Sequence, residues 1–186
     1  MRAHEQRVLV VGLDGGTLDV IRPLAEGGLL PNVASMLRQG AWGTLRSTTP
    51  PHSAPAWASF ATGANPGRHG VFHFRAIDRS FYEGSDYTRI VDARSIALPT
   101  LWERVSQAGK RVGVLNVPLT YPAQSVNGFL VAGMPAPPNP TAFTYPAELA
   151  ASLPGYEIDV DAADDGAFLA AHDLRSPEGL AWLADS

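Results

Sequence analysis

The strongest constraint on how this chain can fold is the segment Arg7–Leu13 (RVLVVGL), an unbroken β-branched apolar run that ends on Asp14-Gly15-Gly16. A strand with one wet face would alternate polar and apolar residues. A continuous run instead marks a strand covered on both faces, as in a parallel sheet. Helical patterns follow it. Thr17 or Asp19 can cap a helix with apolar positions Leu18, Ile21 and Leu24. Pro31 opens a second helix (PNVASMLRQG), with Val33, Met36 and Leu37 on one face and Gly40 closing it. A short strand is expected at Ala41–Arg46. A third helix, Ala54–Thr62, follows the turn Thr48-Thr49-Pro50-Pro51 and stops at Gly63.

Residues from Asn65 to Asp92 read as a loop. The pattern then predicts a helix at Thr100–Ala108, strands at Arg111–Val117 and Gly128–Ala132, and a proline-rich loop at Met134–Pro140. A helix near Pro146–Leu153, a short strand at Tyr156–Val160 and a helix around Pro177–Ala184 complete the chain. Strands separated by helices predict an α/β fold with a mainly parallel sheet and helices on both faces.

Composition removes several classes of function. The 186 residues are 45% hydrophobic and 17% charged, as expected of a globular domain with a core. The net charge of −4 comes without a basic stripe, which argues against a nucleic acid polymer as partner. With no cysteine, disulfides, thiolate metal sites and cysteine nucleophiles are excluded. The opening MRAHEQR is polar, and the Val8–Leu13 run is too short for a signal peptide or a membrane span. The expectation is a cytoplasmic protein with no membrane partner.

Two positions carry chemistry. Asp14 directly follows the first apolar run, and ligands of α/β sheets bind beyond the carboxyl ends of strands. Its carboxylate suits a divalent cation; equally, it could cap the turn through the amides of Gly15 and Gly16. Position alone leaves both readings open. Ser53, in HSAPAWASFATG, stands where an N-cap belongs, with Pro55 in the first turn and Trp57, Phe60 and Ala61 expected on the buried side. A helix N-terminus favours anions, and a hydroxyl there could attack phosphorus beside a cation. The plainer reading is an ordinary capping serine, which contributes about 1 kcal/mol.

Several segments in order resemble the phosphodiesterase and nucleotide pyrophosphatase branch of the alkaline phosphatase superfamily, and especially its bacterial phosphohydrolase-like members. They are VLVVGLDGGTLD, LLPNVASMLRQGAWGTLRSTTPP, SAPAWASFATGANPGRHGVF, LPTLWERVSQAGKRVGVLNVPLTYP and NGFLVAGMPAP, covering most of residues 7 to 137. The block from Thr48 to Gly70 is the most specific. The resemblance implies an alkaline phosphatase-like fold. It also implies that Asp14 is a metal ligand and that Ser53 is both metal ligand and nucleophile, passing through a phospho-serine. Two divalent ions, zinc by expectation, would act on a small phosphorylated substrate.

The chain departs from the family pattern in two respects. Nucleotide pyrophosphatases place an asparagine shortly after the His-Gly pair, and Phe74 stands there in this sequence. The family also draws further Asp and His ligands from its C-terminal half. Asp159, Asp161, Asp164, Asp165 and His172 match these by residue type only. On the resemblance, the chain is therefore expected to be a truncated N-terminal part of a catalytic domain, inactive alone. Residues from about 138 to 186 would begin a cap insertion, and an exposed sheet surface would favour self-association.

Other enzyme classes fit less well. A sulfatase would need arginine where Trp57 stands, and a G-x-S-x-G elbow is missing around Ser59. Sugar-kinase-like ATPases follow a similar first loop with hairpins, not with the helix pattern seen here. His52 is adjacent to Ser53, and neighbouring side chains usually diverge. His69 is expected to be structural and His73 exposed. The alternative from another class is a non-catalytic module that binds an anion or a partner protein at the Ser53 helix.

Overall fold

The computed structural model describes residues 7–77, 88–137, 139–156 and 158. The chain divides into two compact units, Met1–Leu45 and Arg46–Ser186.

In the first unit, α1 (Leu18–Glu26) and α2 (Pro31–Gln39) contact one another. Thr17 caps α1, its side chain accepting from the Asp19 amide at 3.3 Å, as the sequence led us to expect. Pro31 opens α2 where a missing N–H costs nothing, and the Gly40 amide closes it on the Met36 carbonyl at 2.8 Å. Ile21, Leu24, Val33 and Leu37 are half-buried, whereas Met36, expected beside Val33, is exposed.

The two strands expected in this unit are corrected by the structure. Arg7–Leu13 and Ala41–Arg46 carry no strand among the described residues, and Leu9 and Leu45 are 88% and 95% exposed. A strand exists only through a neighbour that takes its N–H and C=O groups. No described strand pairs with either run.

The second unit holds the described sheets. Strands β1 (Arg75–Ile77) and β2 (Thr88–Ile90) form an antiparallel pair inside what the sequence suggested was loop. A capping box starts α5 (Leu101–Gln107): the Thr100 amide donates to Glu103 Oε2 at 2.6 Å, and the Glu103 amide returns to Thr100 Oγ1 at 3.4 Å. Strands β3 (Val112–Val117) and β4 (Gly128–Ala132) fall within a residue of expectation and pair in parallel, while β5 (Thr144–Tyr145) adds antiparallel to β4. Gly128 has φ +147°, and a Cβ there would collide with the Val112 backbone carbonyl, so the register of β3 on β4 requires glycine. The helix expected near Pro146–Leu153 is a 3-10 turn, Ala147–Ser152. Tyr156 is not in a strand. The rest of the Tyr156–Val160 strand, Ile158 apart, lies outside the described residues, as does the Pro177–Ala184 helix. The described architecture is thus mixed α/β with small sheets. No helix among the described residues is long and apolar enough to cross a membrane.

Helix α3 (Ser53–Thr62) joins the two apolar clusters of this unit. Ala54 and Ala58 pack with Val71, Val91 and Leu119; Ala61 packs with Trp102, Val114, Val126, Leu130 and Ala132. Positions 54, 58 and 61 lie on one helix face. Alanine at each lets the α3 backbone approach its neighbours closely. The larger residues expected to be buried do not carry that face: Trp57 is half-buried and Phe60 is 44% exposed.

Ala58 is wholly buried, so leucine there overpacks the cluster. Ala58→Leu is expected to cost about 1–3 kcal/mol. The check is chemical denaturation, with a lower midpoint at unchanged m-value.

Candidate active site

Ser53 is the first residue of α3, and the N-cap is His52. This corrects the expectation that Ser53 itself caps the helix. His52 has extended backbone angles (φ −142°, ψ 147°), its carbonyl accepts from the Ala56 amide at 3.1 Å, and its Nδ1 accepts from the Ala54 amide at 3.4 Å. The approach to the cap is fixed locally: Thr48 Oγ1 donates to the Pro50 carbonyl at 2.8 Å, as does the His52 amide at 3.1 Å. Ser53 therefore starts the helix at its partially positive end, with the capping contact made by its neighbour.

Sequence reasoning missed what surrounds His52. The His73 ring lies 4.4 Å from the His52 ring at 31°, and Phe74 meets His52 edge-on at 5.5 Å. Phe74, the residue at the family's asparagine position, is half-buried against the cluster that holds Ala54 and Ala58. His73 is exposed, as expected, and its Nδ1 accepts from the Arg75 amide at 3.1 Å. With Nδ1 accepting from a backbone N–H in both rings, each neutral imidazole carries its proton on Nε2. No local signal could have found this pair, because a ring contact across 21 positions has no periodicity.

His69 is structural, as expected, and its surroundings explain why. It ends the short helix α4 (Pro66–His69) and is 0% exposed. Nδ1 accepts from the Val71 amide at 3.2 Å, so Nε2 carries the proton and faces Ser59 Oγ at 2.9 Å. Burial lowers its pKa below the usual 6.5, partly offset by a hydrogen bond to the Pro55 carbonyl. The ring thus ties α4 to α3 through Ser59. Ser59, which lacks the surroundings of a serine-hydrolase nucleophile, is used here as a hydrogen-bond partner.

Asp14 lies in a tight turn of the first unit. The Gly16 amide closes that turn on the Leu13 carbonyl at 3.3 Å, and Gly15 takes φ +66°. Asp14 and Ser53 belong to different units. No group of three or more His, Asp or Glu residues placed to hold a metal occurs among the described residues. Asp159, Asp161, Asp164, Asp165 and His172 lie outside them.

A family model for type I phosphodiesterase / nucleotide pyrophosphatase matches residues 8–178, and the chain belongs to that family, part of the alkaline phosphatase superfamily. Membership points to a phosphohydrolase of the phosphodiesterase or pyrophosphatase type. No curated protein and no solved structure matches the chain.

The lowered pKa of His69 sets a pH dependence of stability. Above about pH 6.5 the ring is neutral in both folded and unfolded chains, and its contribution is complete. As pH falls below that value the unfolded chain binds the proton first, so stability declines until the lower folded pKa is reached. Wild type is expected to lose denaturation midpoint between pH 6.5 and 5 more steeply than His69→Gln; parallel pH profiles would contradict this.

Proposed function

We propose that this protein is a metal-dependent phosphoric ester hydrolase with an alkaline phosphatase-like catalytic sheet, acting through Ser53 on a small phosphorylated substrate. The observation that carries the proposal is the family match running through the segment where Ser53 opens a 10-residue helix packed into both apolar clusters.

In the proposed reaction Ser53 Oγ forms a bond to phosphorus in line with the leaving group, whose P–O bond breaks. The leaving oxygen departs with its electron pair and takes a proton. Water then attacks the phospho-serine, its P–Oγ bond breaks, and Ser53 recovers its proton. The role of α3 is positional and electrostatic: its N-terminal end favours the developing negative charge. His52, by taking the cap position, sets where the first turn begins.

The implied cations fit the residues in part. Asp14 and Ser53 offer hard oxygen donors suited to zinc or a similar divalent ion, and the remaining ligands are unassigned. Two bound cations would favour the serine alkoxide and steady the attacking and leaving oxygens.

The test is hydrolysis of p-nitrophenyl phosphate and bis-p-nitrophenyl phosphate in the presence of zinc. Chelation should abolish turnover, and Ser53→Ala should lower kcat by about 10³-fold or more, with Asp14→Asn weakening zinc binding. An unchanged rate in Ser53→Ala removes Ser53 as nucleophile. Zinc-dependent binding of inorganic phosphate without turnover points instead to an anion-binding module.

A further inference from the structure

We infer that His69 and Ser59 act together as a positioning brace that holds the first turn of α3, and with it Ser53, in register with the rest of the second unit. The inference rests on the proposed role of Ser53 for its functional consequence and on geometry for the brace itself.

Three observations carry it. First, the His69 tautomer is fixed from outside the helix. The Val71 amide donates to Nδ1, which leaves Nε2–H directed to α3. Second, that nitrogen meets α3 at Ser59 Oγ, 2.9 Å away. Ser59 lies six residues after Ser53 on the same helix, so a displacement of α3 along its axis has to break a bond made by a fully buried imidazole. Third, the brace is anchored at its other end. The His69 carbonyl accepts from the Ala97 amide at 3.0 Å, and Gly70 leaves α4 in the left-handed region at φ +82°. His69 thus ties the nucleophile's helix to the segment that leads into α5.

Apolar packing alone leaves a helix of small residues able to slide or roll along its smooth face. The alanines at 54, 58 and 61 present few projections to resist that motion. A directional hydrogen bond between a fixed imidazole and Ser59 resists it. That gives a reason for a polar residue in the middle of α3, where a larger apolar side chain would bury more surface.

The experiment uses the whole chain and inorganic phosphate as probe. In the wild-type protein, nitrogen-15 spectra of His69 should show the Nε2–H tautomer. Ser59→Ala should accelerate hydrogen exchange of the Ala56 and Trp57 amides by about fivefold or more, the worth of one hydrogen bond, while the β4 amides stay unchanged. It should also weaken inorganic phosphate binding at the start of α3 by a similar factor. Ser59→Thr, which keeps the hydroxyl, should restore both. A His69 Nδ1–H tautomer, or first-turn exchange unchanged in Ser59→Ala, overturns the brace on its own evidence. Phosphate affinity unchanged in Ser59→Ala, with exchange accelerated, shows that the brace exists and does not position the site. Phosphate that leaves the α3 amides unmoved in wild type and in Ser53→Ala alike overturns the Ser53 reading and with it the brace's functional consequence, while the exchange measurement still decides whether the brace is there.

Discussion

The second unit depends on how closely α3 can approach its neighbours. Ala54, Ala58 and Ala61 present methyl groups where larger side chains would hold the helix away, and all three are buried. Two clusters of side chains, one led by Leu119 and Val71 and the other by Trp102 and Leu130, close on that one helix. Interiors packed this densely transmit small displacements instead of absorbing them. How near α3 lies to its neighbours is therefore set by contacts that extend to β3 and β4.

Histidines add direction to that packing. His52, His69 and His73 each accept, through Nδ1, the amide of the residue two positions on. The repeated local bond leaves every Nε2–H pointing away from its own backbone. In the buried case the proton goes to α3. In the other two the rings meet at 4.4 Å, tilted by 31°. The same side-chain type thus serves as an internal tie at His69, as the cap of α3 at His52 and as that cap's ring neighbour at His73, and burial sets the first apart.

What the sequence revealed was what is decided locally. Pro31 and Gly40 bound α2 and Thr17 caps α1, because each signal needs only three or four neighbouring residues. The Gly128–Ala132 strand was equally legible from its apolar run. Arg7–Leu13 and Ala41–Arg46 were not, since apolar character states that a segment would pair and says nothing about which strand accepts it. The buried side of α3 was misjudged for a related reason. Size suggested Trp57 and Phe60, whereas close approach selects small residues. His52 was not read as the cap because its imidazole is an uncommon acceptor for that duty, and Ser53 beside it is a common one.

That last displacement, by a single residue, bears on the chemistry. Moving the cap to His52 assigns the Ala54 amide to an imidazole. Ser53 becomes the first residue inside the helix, where the dipole still favours negative charge. His52 and the buried alanines thus hold the turn that Ser53 begins.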